Sequence, residues 1–223
     1  LYLDGTKDRL YTFKLQSPER LAAQTVMAET FARLCSLISP ILSFTAEEAW
    51  RGSLAALLVE ADIEFTPPPD FMFCPVRENS VFRYQYAVRS PSGDLELRYR
   101  IDSFTRLEAG RKAASAGMEM ISSVSFNDMY ETNFTAMLYN LSEGVFAMPM
   151  LFDPEPAAEL YGADRAALCF VRMAAKDFSP DYDAACVFAF HKEHVADAYI
   201  IGLYCKGSGA DQFFDEPPEW RFV

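Results

Sequence analysis

The sequence is short of positive charge and of soft metal ligands. Its 20 lysines and arginines face 32 aspartates and glutamates, for a formal net charge of -12 and a pI near 4.6. That balance opposes broad, nonspecific attraction to phosphate backbones. There are two histidines, His191 and His194, and the five cysteines (Cys35, Cys74, Cys169, Cys186, Cys205) form no CxxC or other close pair. An odd number of scattered cysteines with no secretory signal excludes a disulfide framework and favours reduced, mostly buried thiols in a cytoplasmic setting. No apolar run approaches the ~20 residues of a spanning helix, and the longest candidates are interrupted by Pro40 or Asp62. A membrane span is not expected. The chain opens on Leu1 with no basic, apolar and cleavage-site succession after it, so a fragment of a longer reading frame is expected.

What is present is apolar material in quantity. With 51% hydrophobic residues in 223, the chain can fill one large core or two small ones. The acidity is uneven. Up to Trp50, the cations Lys7, Arg9, Lys14, Arg20 and Arg33 nearly offset Asp4, Asp8, Glu19, Glu29, Glu47 and Glu48, so the remainder carries almost all the excess.

Local signals divide the chain in the same place. Ser17-Pro18-Glu19 predicts a helix start, because the hydroxyl caps a free N–H, proline suits the first helical position and glutamate favours the positive dipole end. The helix is expected to run to about Ser39, with apolar residues spread over more than one stripe, as in a bundle. Pro40 ends or kinks it. Thr45-Ala46-Glu47-Glu48 then fits a capping box, with Phe44 as a staple and Trp50 as an anchor for a second helix. The rigid run Thr66 to Asp70 (TPPPD) cannot continue a helix, which places a boundary between Arg51 and Pro69.

Beyond it, Ser80 to Ala87 and Leu95 to Phe104 read as strands around the turn signal Ser90 to Asp94. Strict alternation of Leu95, Leu97, Tyr99 and Ile101 with Glu96, Arg98, Arg100 and Asp102 predicts one buried and one wet face. After a Gly/Ala/Arg/Lys-rich passage from Ala109 to Gly117, a helix is expected from about Ser125 to Gly144, and a short one from Asp153-Pro154 to Leu160, closed by Gly162. Three strands follow: Ala166 to Ala174, Ala184 to Lys192 and Asp197 to Cys205. The fold class is therefore α+β: an N-terminal helical hairpin or bundle fragment over residues 1–58, then over 59–223 a mostly antiparallel sheet with helices packed on it.

The first 50 or so positions resemble the anticodon-binding helical domain of class I aminoacyl-tRNA synthetases, specifically isoleucyl-tRNA synthetases. The resemblance rests on YLD at Tyr2 to Asp4, KDRLYT at Lys7 to Thr12, SPER at Ser17 to Arg20, AQT at Ala23 to Thr25 and SPILSFTAEEAW at Ser39 to Trp50. It implies ATP-dependent attachment of isoleucine to tRNA in the family, with this bundle gripping the anticodon side. The HIGH and KMSKS signatures of the adenylating domain occur nowhere in this chain, so no aminoacylation is expected from it alone. Gly5-Thr6 departs from the family's two apolar helix residues and weakens the first helix, since an internal glycine costs ~1 kcal/mol against alanine. Past Trp50 the synthetase words stop, and the strand-rich end looks like a Mog1/PsbP-type sandwich in topology alone.

Candidate sites follow from these two parts. Lys7 and Arg9 are candidate contacts to tRNA phosphates, with Arg20 at the capped helix start a weaker one. Ion pairs inside the bundle with Asp4, Asp8 or Glu29 are the competing use of the first two. His191 and His194 straddle a strand end without a third ligand, so no metal is expected. Cys186 lacks a base and reads as a small core hydrophobe, and Gly207-Ser208-Gly209 lacks the lysine of a phosphate loop. The carboxylates from Asp211 to Glu219 read as a solvated tail, with Trp220 and Phe222 docking back. No catalytic residue and no cofactor are expected. The partners are tRNA through the helices, or a protein through an adaptor-like C-terminal part.

Overall fold

A computed structural model describes residues 17–38, 54–114, 125–145, 147–216 and 218–223. The predicted capping box at Thr45 to Glu48, its staple Phe44 and its anchor Trp50 lie outside those residues, as do Lys7 and Arg9.

Helix α1 spans Pro18–Ile38, close to its predicted limits. Ser17 caps it: its hydroxyl accepts the Arg20 backbone N–H at 3.3 Å, while its carbonyl accepts those of Arg20 and Leu21. Among its described side chains Ala23 is buried, whereas Leu21 and Met27 are each about two-fifths exposed. Residues 54–60 form a second helix, α2, whose Leu54 and Leu57 enter the core of the sheet.

The architecture is α+β. Nine strands are described: β1 (Ile63–Phe65), β2 (Met72–Phe73), β3 (Tyr86–Arg89), β4 (Leu95–Ser103), β5 (Met150–Leu151), β6 (Arg165–Arg172), β7 (Ala184–Lys192), β8 (Ala196–Tyr204) and β9 (Trp220–Phe222). Seven form one antiparallel sheet in the order β2-β3-β4-β8-β7-β6-β5, and β1 pairs with β9 in a separate ribbon. The longest non-sequential pairing joins β4 to β8, from Leu95 opposite Tyr204 to Ser103 opposite Ala196. Between β4 and β6 the chain makes α3 (Phe104–Ala114), a 3₁₀ turn (Phe126–Asp128), α4 (Tyr130–Leu141) and α5 (Pro154–Tyr161). Both expected helices after residue 120 are present. The first is split at Met129, whose backbone N–H closes the 3₁₀ turn onto the Phe126 carbonyl before α4 begins. Gly162 ends α5 in the left-handed conformation, φ 60°, as its position predicts.

Two apolar layers sandwich the sheet. On one face α2, α5, the β1–β9 ribbon and a 3₁₀ segment (Ala210–Asp215) cover Leu97, Tyr99, Phe188, Phe190 and Ile200. On the other, α4 and the irregular residues around Phe82, Tyr84 and Phe178 cover Val187, Tyr199, Ile201 and Leu203.

That second cover overturns one expectation. The charged face of β4 is not wet: Glu96 is 3% and Arg98 1% exposed. The residues at Ser80 to Gln85, predicted as the start of a strand, instead run as irregular chain before β3. From there Phe82 and Tyr84 reach over the β4 cations. The Arg98 guanidinium lies 4.7 Å from the Tyr84 ring centroid and 4.4 Å from that of Phe178, and Arg100 lies 4.3 Å from that of Phe82.

Candidate functional site

Of the residues singled out for nucleic acid, Arg20 is described: half-buried, in the first turn of α1. On the same helix Arg33 pairs with Glu78 at 3.3 Å, both well exposed. Such an exposed pair contributes under about 1 kcal/mol and leaves the guanidinium accessible to another anion.

The two histidines have separate surroundings. His191 is fully buried on β7, its Nδ1 2.7 Å from the Asp197 carboxylate on β8, with which it is in register. Burial pushes the Asp197 carboxyl above its usual range, against the opposing pull of His191. Tyr130 and Phe104 close over the imidazole, with ring centroids 5.1 and 5.9 Å away. Among the described residues, His191 Nε2 and the nearby Tyr199 hydroxyl have no hydrogen-bond partner. His194 is exposed in the following turn at φ 63°, its backbone N–H held by Asn127 Oδ1 at 2.8 Å. The pair does not converge. Burial first, and Cys169 second, push the Cys186 thiol well up, which disables it as a nucleophile at neutral pH. Gly207-Ser208-Gly209 is an exposed turn.

A concavity lies elsewhere, at a place where no site was expected. A cavity of 570 Å³ opens over the sheet, beside the β1–β9 ribbon. Its floor follows from strand register: Tyr99, Ile200 and Phe188 are neighbours across β4, β8 and β7, and in the next row Leu97 lies opposite Gly202. One wall is Phe65 with Pro68 and Pro69, and the other is Phe213 and Phe214 of the 3₁₀ segment. Asp215, Glu216 and Glu219 stand exposed among its lining residues, which among the described residues include no lysine or arginine.

Gly202 makes this geometry possible. A β-carbon there would come within 2.1 Å of Phe214 Cζ, so the bare backbone lets that ring lie on the sheet. The two walls are tied together as well. The Thr66 backbone N–H donates to the Glu219 carbonyl at 3.4 Å, and Phe65 stands opposite Trp220, which is 2% exposed. Trp220 and Phe222 dock back as expected, but the acidic run before them is a wall rather than a free tail. The signal for it was present in Phe213-Phe214, two apolar residues inside a run of carboxylates.

Comparison with known proteins bears on the other end of the chain. The family model described as the anticodon-binding domain of tRNA ligase matches residues 1–100, reaching past Trp50 into strand β4. An isoleucine–tRNA ligase of Caldicellulosiruptor saccharolyticus is 61% identical over 52 residues, 23% of this chain and 6% of that protein. Isoleucine–tRNA ligase 2 of Burkholderia mallei is 45% identical over 73 residues, 31% of this chain and 8% of its own length. The Moorella thermoacetica ligase is 55% identical over 51 residues, 23% of this chain and 6% of that one. The chain thus spans less than a tenth of the curated relatives it matches. No solved structure matches it. The N-terminal part is therefore similar in sequence to the anticodon-binding region of isoleucine–tRNA ligases, as its motifs implied.

Proposed function

We propose that this chain is a tRNA-binding helical fragment of the isoleucyl-tRNA synthetase type, without the catalytic domain, joined to an α+β binding module. The observation that carries the reading is the 61% identity across 52 residues with an isoleucine–tRNA ligase. The division proposed is residues 1–58 and 59–223, with α2 lending Leu54 and Leu57 to the sheet core. Lys7, Arg9 and Arg20 are the proposed phosphate contacts. Three such contacts give a slope of about −2 to −3 for log affinity against log salt.

Filter binding against tRNA at low and moderate salt tests the proposal. Lys7→Ala and Arg9→Ala are expected to weaken binding about equally for every tRNA and to flatten the slope by roughly one unit each. Affinity no better than that of an unrelated acidic protein removes the tRNA role.

A second reading has an observation of its own. Met148, Leu151, Met150 and Phe170 are 77, 76, 54 and 47% exposed around the outer edge strand β5. An apolar edge with one side unpaired among the described residues suits addition of an extended segment from a protein partner. In this reading residues 59–223 act as an adaptor, in the manner that the Mog1/PsbP-type resemblance implies. Pull-down with that segment alone discriminates: loss of every partner on deleting the helices counts against the adaptor.

A further inference from the structure

Arg20 is not among the residues that line the 570 Å³ cavity, and the chemistry of that cavity is specific enough to name a ligand class. Its volume falls within the range of sites that enclose small molecules rather than single waters. Its interior is aromatic and branched aliphatic, with rings set at different angles. Phe65 and Tyr99 meet at 4.6 Å and 53°, and Phe213 and Phe214 at 5.4 Å and 85°. A ligand in this space meets ring faces as well as edges, and faces attract cations.

The mouth has one sign of charge. Asp215, Glu216 and Glu219 line it with no cation among the described lining residues, on a chain of net charge -12. An anionic ligand would cross an unfavourable field before reaching an apolar floor that holds no charge to receive it. An ammonium group meets carboxylates at the rim while its hydrocarbon body displaces water from Leu97, Phe188 and Ile200. The walls are also held before any ligand arrives, through the Thr66 to Glu219 backbone bond and the pairing of β1 with β9.

We propose that this cavity binds a small organic cation, an amine bearing an aromatic or branched apolar body, with the body against Tyr99, Phe188 and Ile200 and the ammonium between Asp215, Glu216 and Glu219. Three probes sharing one hydrocarbon body separate the terms: phenethylamine, phenethyl alcohol and hydrocinnamate, each titrated calorimetrically into the full chain. The amine is expected to bind saturably at one site, the alcohol about tenfold more weakly, and hydrocinnamate not at all. The rim variant Asp215→Asn, Glu216→Gln, Glu219→Gln alters exposed side chains only, so its circular dichroism is expected to match the parent's. It should lower amine affinity to that of the alcohol. The proposal is overturned if none of the probes binds saturably, if alcohol or hydrocinnamate binds as well as the amine, or if the rim variant leaves the amine's affinity unchanged. None of these outcomes depends on whether the chain binds tRNA.

Discussion

At the scale of single residues, the most consequential feature is a charge held where the alternation of β4 predicted water. Arg98 donates to Glu96 at 2.7 Å and to the Phe178 carbonyl at 2.6 Å, and Arg89 grips the other Glu96 oxygen from the edge of the layer at 2.6 Å. Removing one partner of a buried pair leaves the other charged and poorly solvated. Arg98→Ala is therefore expected to cost about 3 kcal/mol or more in urea unfolding. Arg89→Ala leaves Glu96 its Arg98 partner but strips the other buried oxygen, and should cost less, about 1 to 3 kcal/mol. The pair also sets a pH dependence. Desolvation raises the Glu96 carboxyl, but Arg98 and Arg89 outweigh it and hold it below the ordinary range. A depressed carboxyl contributes stability that is present above its unfolded value and lost as pH falls through the folded one. The urea midpoint is thus expected to drop below pH about 4, and Glu96→Gln to flatten that drop. Asp197 has the opposite sign. Its raised value means its contribution is present below the unfolded value and lost as pH rises through the folded one, so Asp197→Asn should flatten the curve on that side.

At the scale of elements, two glycines decide how the ribbon and the 3₁₀ segment sit on the sheet. Gly162 has φ 60°, and a β-carbon there would stand 2.1 Å from the backbone oxygen of Phe222. Gly162→Ala therefore strains the α5 terminus and pushes β9 away, with an expected loss of about 2 to 4 kcal/mol. Hydrogen exchange checks the mechanism: the Val223 amide, which donates to the Asp62 carbonyl at 2.8 Å, should lose protection before the amides of β7 and β8. Gly202→Ala acts on the cavity instead. It collides with the far end of the Phe214 ring and should cost about 1 to 3 kcal/mol. Combining it with Phe214→Leu should recover part of that loss, a coupling that a double-mutant cycle in urea measures directly. The strands β4, β7 and β8 were legible to within a residue or two, because β-branched and aromatic runs bounded by turn residues are local signals. The start of β3 was not. Ser80 to Gln85 has strand-like composition, but there Phe82 and Tyr84 cover the β4 cations.

At the scale of the whole molecule, the two apolar clusters are built, among the described side chains, from Leu54 onward. None of the described residues of Pro18–Ile38 belongs to either apolar cluster, while Leu54 and Leu57 belong to one of them. Deleting residues 1–50 is expected to leave the cooperative unfolding of the sheet within about 1 kcal/mol of the intact chain, followed by near-ultraviolet circular dichroism in urea. A larger loss would mean that the N-terminal helices are part of the same folding unit. Sequence by itself was enough for the α+β class, the helix start at Ser17, the turn at Gly162 and the kinship of the N-terminal part, because caps, periodicities and ordered words are written in neighbouring residues. Only the tertiary structure decided that both faces of β4 are buried, that His191 belongs to Asp197 rather than to His194, and that an acidic stretch forms the wall of a cavity. Those outcomes depend on which distant segments cover which face, as when β4 meets β8 about a hundred residues away, and no local pattern encodes that.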